Sequence, residues 1–249
     1  MNVYSKIILI SEFMTLSRVE KVRFDRHIRT TGFGEAGQLK LKAGRVLVIG
    51  AGGLGCPVIQ YLVAAGVGKI GIMDGDVVSL SNLQRQILYT EDEIGQPKAV
   101  IAGAKMSGLN SCVDIRVFEE FLTDELADLL FPEFDIVVGA TDNYHSRYLI
   151  DRKSIEHHIP FVHGAIREYE GQLSVFNYQG GSSYSDLFGD QPSEPTSSMG
   201  VMGPVTGIIG SMMAMVVIKI FTGVGKVLTD QLALYSSIDN TFRKIQIRS

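Results

Sequence analysis

The sequence predicts an α/β protein built on a doubly wound, mainly parallel sheet with C-terminal antiparallel strands. Three observations carry that prediction. Short apolar runs recur along the first two thirds of the chain, helix-length segments separate them, and the first run leads directly into a glycine-rich turn. Strands that alternate with helices imply a parallel sheet covered on both faces.

The strand-like runs are "RVLVIG" (45–50), "KIGIMD" (69–74), "VDIRVF" (113–118), "FDIVVGA" (134–140) and "IPFVHGA" (159–165). Between them, residues 54–65, 97–109, 123–131 and 143–157 read as helices. The pattern then changes to hairpin-like "GQLSVFNY" (171–178) and a loop rich in Gly, Ser and Pro (180–203), a length that in a compact domain marks mobility or function. A long helix over about 205–222 and two closing strands, "QLALYSS" and "TFRKIQI", complete the chain. Residues 1–22 read as an N-terminal extension and 23–249 as a single domain. The apolar core of "MNVYSKIILISEF" is too short for a secretory signal.

Composition narrows the function. A net charge of −4 gives no electrostatic footprint for nucleic acid. Two cysteines, Cys56 and Cys112, build neither a disulfide framework nor a structural zinc site, which suits a reducing cytoplasm. No charge falls between Pro195 and Ile218, a length that spans a bilayer, yet its first half is "PTSSMGVMGPVTG". The expectation is therefore a buried helix, at a subunit interface or in the core, with no membrane. Cys56 and the five histidines read as ordinary packing or surface residues.

The chemistry concentrates at the predicted strand ends. In "GRVLVIGAGGLGCP" (44–57) the glycines let backbone approach phosphate at a helix N-terminus. Asp74 ends the second strand, where such folds place an acid for ribose hydroxyls. Both a nicotinamide dinucleotide and ATP satisfy those two features. "DGDVVSLSNLQRQ" then adds Asn82 and Arg85, and "GQPK" adds Lys98. Cations beside a triphosphate neutralise charge during displacement, so the balance moves to ATP. In "GATDN" (139–143), Asp142 reads either as the N-cap of the following helix, the commoner role for such an Asp, or as a magnesium ligand.

Taken together, "GAGGLGCP", "DGDVVSLSNLQRQ", "GQPK", "TDN" with Arg147, and "GVMGPVTGIIGS" resemble the MoeB/ThiF/HesA family of ubiquitin-activating-type adenylyltransferases. The resemblance runs in order from "RHI" (26–28) to the C-terminus. It implies a Rossmann-like enzyme with an ATP-binding core (about 44–165) and a carrier-binding part (about 166–249). The implied reaction joins the Gly-Gly carboxylate of a ubiquitin-like sulfur carrier, of MoaD or ThiS type, to AMP and releases pyrophosphate. By motif, the nucleotide would meet Gly53, Asp74, Ser81, Asn82, Leu83, Gln84, Arg85, Lys98, Asp142 and Asn143. Asn82, Arg85, Lys98 and Asp142 would act in catalysis, with Asp142 holding Mg²⁺, and Arg26 would reach a partner's site across a homodimer.

The sequence departs from the family twice. The loop before "GVMGP" carries no cysteine, only Thr196 and neighbouring serines, so no covalent carrier link is expected there. Where relatives carry a Cys-x-x-Cys zinc pair, this chain has Ser183 and Asp186. Other readings are adenylation of a peptide C-terminus or a carboxylate on modified tRNA, a nicotinamide-dependent oxidoreductase, and a catalytically silent binding partner. The oxidoreductase reading leaves Arg85 and Lys98 without a task, and the silent reading leaves the intact nucleotide motifs unexplained.

Overall fold

A computed structural model describes residues 3–193 and 200–247. The chain opens with four helices: α1 (Val3–Ser11), α2 (Arg18–Arg23), α3 (Asp25–Ile28) and α4 (Gly34–Ala43). Then follow β1 (Arg45–Ile49), α5 (Gly55–Ala65), β2 (Lys69–Met73), α6 (Lys98–Leu109), β3 (Asp114–Phe118), α7 (Asp124–Leu130), β4 (Ile136–Gly139), α8 (Tyr144–Glu156) and β5 (Phe161–Arg167). The last part holds β6 (Glu170–Phe176), α9 (Tyr184–Phe188), α10 (Gly203–Thr222), β7 (Gln231–Ser236) and β8 (Thr241–Gln246).

One eight-stranded sheet runs in the order β3-β2-β1-β4-β5-β6-β7-β8. The first five strands are parallel and the remaining pairings antiparallel. Alternation along each strand feeds two cores. In β1, Val46 and Val48 join α5, α6 and α10 on one face, while Leu47 and Ile49 join α7 and α8 on the other. Two buried faces explain why the central strands read as continuous apolar runs. The expected strands and helices all form, with ends shifted by a residue or two.

Three features go beyond the sequence reading. The stretch read as an extension is helical and packed on the domain: Ile7 is fully buried, and Lys6 Nζ reaches Asp135 Oδ1 at 2.7 Å. That carboxylate also takes two bonds from the Arg45 guanidinium, at 3.0 and 2.9 Å. The expected 171–178 hairpin pairs back onto β5, which runs on to Arg167. Part of the expected 180–203 loop is the short helix α9. Among the described residues one helix, α10, is long and apolar enough to cross a membrane, and 61% of its most apolar stretch is buried in the protein.

Candidate functional site

The carboxyl ends of β1, β2 and β4 meet at the glycine loop. Gly53 is wedged: a Cβ there would lie 3.1 Å from Thr206 Cγ2, in the first turn of α10, and 3.5 Å from Arg85 Cδ. No side chain fits at that position without displacing neighbours, so backbone is presented to the cleft. Asp74, just past β2, braces the loop. Its Oδ2 accepts the Ala51 N–H at 2.7 Å and its Oδ1 the Asp76 N–H at 2.8 Å. Burial raises the Asp74 carboxyl above its ordinary value, against the pull of these N–H groups and of Lys98.

The segment after Asp74 folds back over the loop. Residues Leu80–Asn82 form a 3₁₀ turn, and the Asn82 carbonyl accepts the N–H groups of both Arg85 and Gln86. That compact turn sets the half-buried Arg85 side chain over Gly53, with Nη1 on the Ser81 carbonyl at 3.2 Å. Ser81 and Gln84 are exposed, and Asn82 and Leu83 half-buried. Lys98 opens α6, 4% exposed, and its Nζ holds Asp76 Oδ2 at 2.9 Å. Its charge pulls down both the Asp74 carboxyl and the Cys56 thiol. The Cys56 thiol is pushed up to about 12 by burial, as its packing reading requires.

At the end of β4 the structure corrects one expectation. Asn143, not Asp142, caps α8: its Oδ1 accepts the Ser146 N–H at 2.8 Å. Asp142 is exposed and, among the described residues, its carboxylate has no hydrogen-bond or ion-pair partner. The capping task falls one residue later because Asn143, directly before Tyr144, has the extended backbone a cap needs.

Sequence reasoning missed several polar groups around this end of the sheet. Gln86 is buried, with Oε1 unpartnered, and its amide nitrogen stands over Gly52. Arg147, 9% exposed, donates from Nη2 to the Thr141 carbonyl at 3.0 Å and has no carboxylate partner among the described residues. Its Nε, Thr141 Oγ1 and His163 Nδ1 are buried without partners. Gln86 and Arg147 were visible as polar positions within quoted motifs. His163 gave no signal, because only the pairing of β5 with β4 brings it beside Gly139.

Other predicted residues lie away from the cleft. Arg26 is exposed on α3 and forms no ion pair among the described residues. Beside it, His27, Tyr61, Ala65, Ala214, Met215 and Ile218 line much of an apolar groove of about 430 Å³. Ser183 and Asp186 cap α9 reciprocally: Ser183 Oγ accepts the Asp186 N–H at 3.0 Å, and Asp186 Oδ2 accepts the Ser183 N–H at 2.8 Å. Buried Asp151 accepts from Tyr184 N, Ser185 N, Ser185 Oγ and Asn177 Nδ2 at 2.8–3.0 Å. Thr196 lies outside the described residues.

The strand order β3-β2-β1-β4-β5, all parallel, with a glycine loop after β1, an acid after β2 and a cationic segment folded over the loop, defines an α/β domain of Rossmann-like type. The ThiF family model matches residues 24–249, and the chain belongs to the ThiF family. It is 38% identical to the sulfur carrier protein adenylyltransferase of Thermus thermophilus, over 94% of this chain and 90% of that protein. It is 40% identical to a probable molybdopterin-synthase adenylyltransferase of Porphyra purpurea, over 94% of this chain and 62% of that protein. Of several other curated relatives the chain spans 52–66% of the length. Among solved structures, E. coli MccB with MccA-N7isoASN superposes with a TM-score of 0.83 at 20% identity, covering 94% of this chain and 74% of that one.

Proposed function

We propose that this protein adenylates the C-terminal Gly-Gly carboxylate of a ubiquitin-like sulfur carrier, using ATP and releasing pyrophosphate. One observation carries the reading: Arg85 and Thr206 in the first turn of α10 close together over Gly53, on the glycine loop that Asp74 braces through the Ala51 N–H. The similarity to the Thermus thermophilus sulfur carrier protein adenylyltransferase, along nearly the whole of both chains, supports the same substrate class.

The tail carboxylate is ionised at neutral pH, so the reaction needs no general base. A carboxylate oxygen bonds to the α-phosphorus as the bond to the bridging oxygen breaks, and pyrophosphate leaves with that electron pair. The protein's task is in-line alignment and charge neutralisation. Asp74 takes the ribose, and Arg85 and Lys98 face the phosphates. The uncommitted, exposed Asp142 suits Mg²⁺, which binds through one or two carboxylates, water and phosphate. Bound there, the ion would supply charge neutralisation on the triphosphate.

The working form is a homodimer. The exposed Arg26 lies beside an apolar groove that a second chain would cover, and by the family resemblance Arg26 of the partner subunit would act at the cleft. The setting is cytoplasmic. Pyrophosphate exchange into ATP tests the function: exchange appears only with ATP, Mg²⁺ and a Gly-Gly-ended carrier, and none with any such carrier refutes it.

A further inference from the structure

We propose that Phe121 stacks on the base of the bound nucleotide and sets its affinity through ring contact; this rests on the ATP-binding reading above. Three neighbouring strand ends in the order β1, β2, β3 carry, in turn, the glycine loop, Asp74 and the loop that bears Phe121. Neighbouring strands are about 4.8 Å apart, so two steps across the sheet match the reach from a 5′-phosphate past its ribose to the base. With phosphate over β1 and ribose at the end of β2, the base falls at the end of β3.

The side chain there is built for that place. Phe121 is 66% exposed, although Leu122 next to it is buried in the core that holds Met73. Its ring lies flat against the backbone of Gly75, the residue after Asp74. A Cβ at Gly75 would sit 2.7–2.9 Å from Cδ2, Cε2 and Cγ of that ring, so only glycine leaves room for it. The Asp74 N–H bonds the Phe118 carbonyl at 3.1 Å and ties the two strand ends together. Among the described residues the ring pairs with no other aromatic. A single exposed apolar side chain is ordinary on a protein surface. An aromatic ring fixed one residue from the ribose acid is a stacking platform, since every base has a π-face.

The chain contains no tryptophan, so Phe121→Trp gives a sole tryptophan, excited selectively over the nine tyrosines. ATP and AMP are expected to quench its emission, and tripolyphosphate is not. Phe121→Ala is expected to weaken ATP binding and raise its KM about tenfold with kcat little changed. Phe121→Tyr restores the unmodified values, and tripolyphosphate affinity is the same in all. Equal ATP affinity in Phe121→Ala and the unmodified protein overturns the role of Phe121. Equal response of the tryptophan to tripolyphosphate does the same. Calorimetry on the unmodified protein separates the two readings: absence of ATP binding there overturns the adenylation reading itself.

Discussion

Lys98 and Asp76 form an ion pair at 2.9 Å whose two halves differ sharply: the lysine side chain is 5% exposed and the aspartate 57%. The ammonium is therefore buried with a counter-charge that water can reach. On the proposed ATP reading, an incoming phosphate would offer a stronger, multiply charged partner, and the exchange would leave Asp76 solvated, not stranded.

Lys98→Ala is expected to slow carrier-dependent pyrophosphate exchange by about 10²–10³, the usual cost of removing one preorganised donor. Asp76→Asn keeps most of the activity, since the aspartate only parks the lysine. Steady-state exchange assays of both variants check the contrast.

The proposed sharing of Arg26 across a homodimer makes a complementation prediction. Arg26→Ala and Asp142→Ala are each expected to be inactive as homodimers. A refolded equal mixture regains about a quarter of wild-type exchange, because each mixed dimer holds one intact site. No recovery on mixing contradicts the lending of Arg26.

His163 is wholly buried among Phe161, Phe176, Tyr184 and Phe188, and burial lowers its pKa well below 6.5, with the Arg147 charge adding to the shift. The folded protein thus keeps it neutral while the unfolded chain protonates near pH 6.5. Below that pH the unfolded state binds the extra proton, so stability falls as pH drops toward the folded value. The slope approaches about 1.4 kcal/mol per pH unit for this one group. His163→Gln, which keeps a partner for Gln172, is expected to flatten that part of the curve in urea unfolding between pH 7 and pH 5.

Asp151 collects four hydrogen bonds from α9 and Asn177 at 2% exposure. Asp151→Asn sets an amide N–H against those donors and is expected to cost about 2–4 kcal/mol. Hydrogen exchange would quicken first in residues 177–189. A chelator is expected to leave the wild-type melting temperature unchanged, since Ser183 and Asp186 bond to each other.

Periodicity located every central strand of the sheet because both faces are buried, and two-sided burial writes continuous apolar runs into a sequence. The glycine loop, Asp74, Arg85 and Lys98 were singled out by residue type and spacing, and the structure sets Arg85 over Gly53, Asp74 under Ala51 and Lys98 on Asp76. Asp142 shows where local pattern fails: Asp and Asn are both good caps, and only the backbone angles award the cap to Asn143. The N-terminal helix was illegible for another reason. Lys6 meets Asp135, 129 residues away, and no local window holds both.

The sequence by itself determined the layered α/β class and the list of groups that could meet a nucleotide, because both are written in spacing and residue type along the chain. Tertiary structure alone decided which of those groups share a cleft. It set Arg85 over Gly53 beside Thr206 and laid Phe121 on Gly75 next to Asp74. Such contacts depend on sheet order and on loops folding back across it, and these emerge only when distant segments pack.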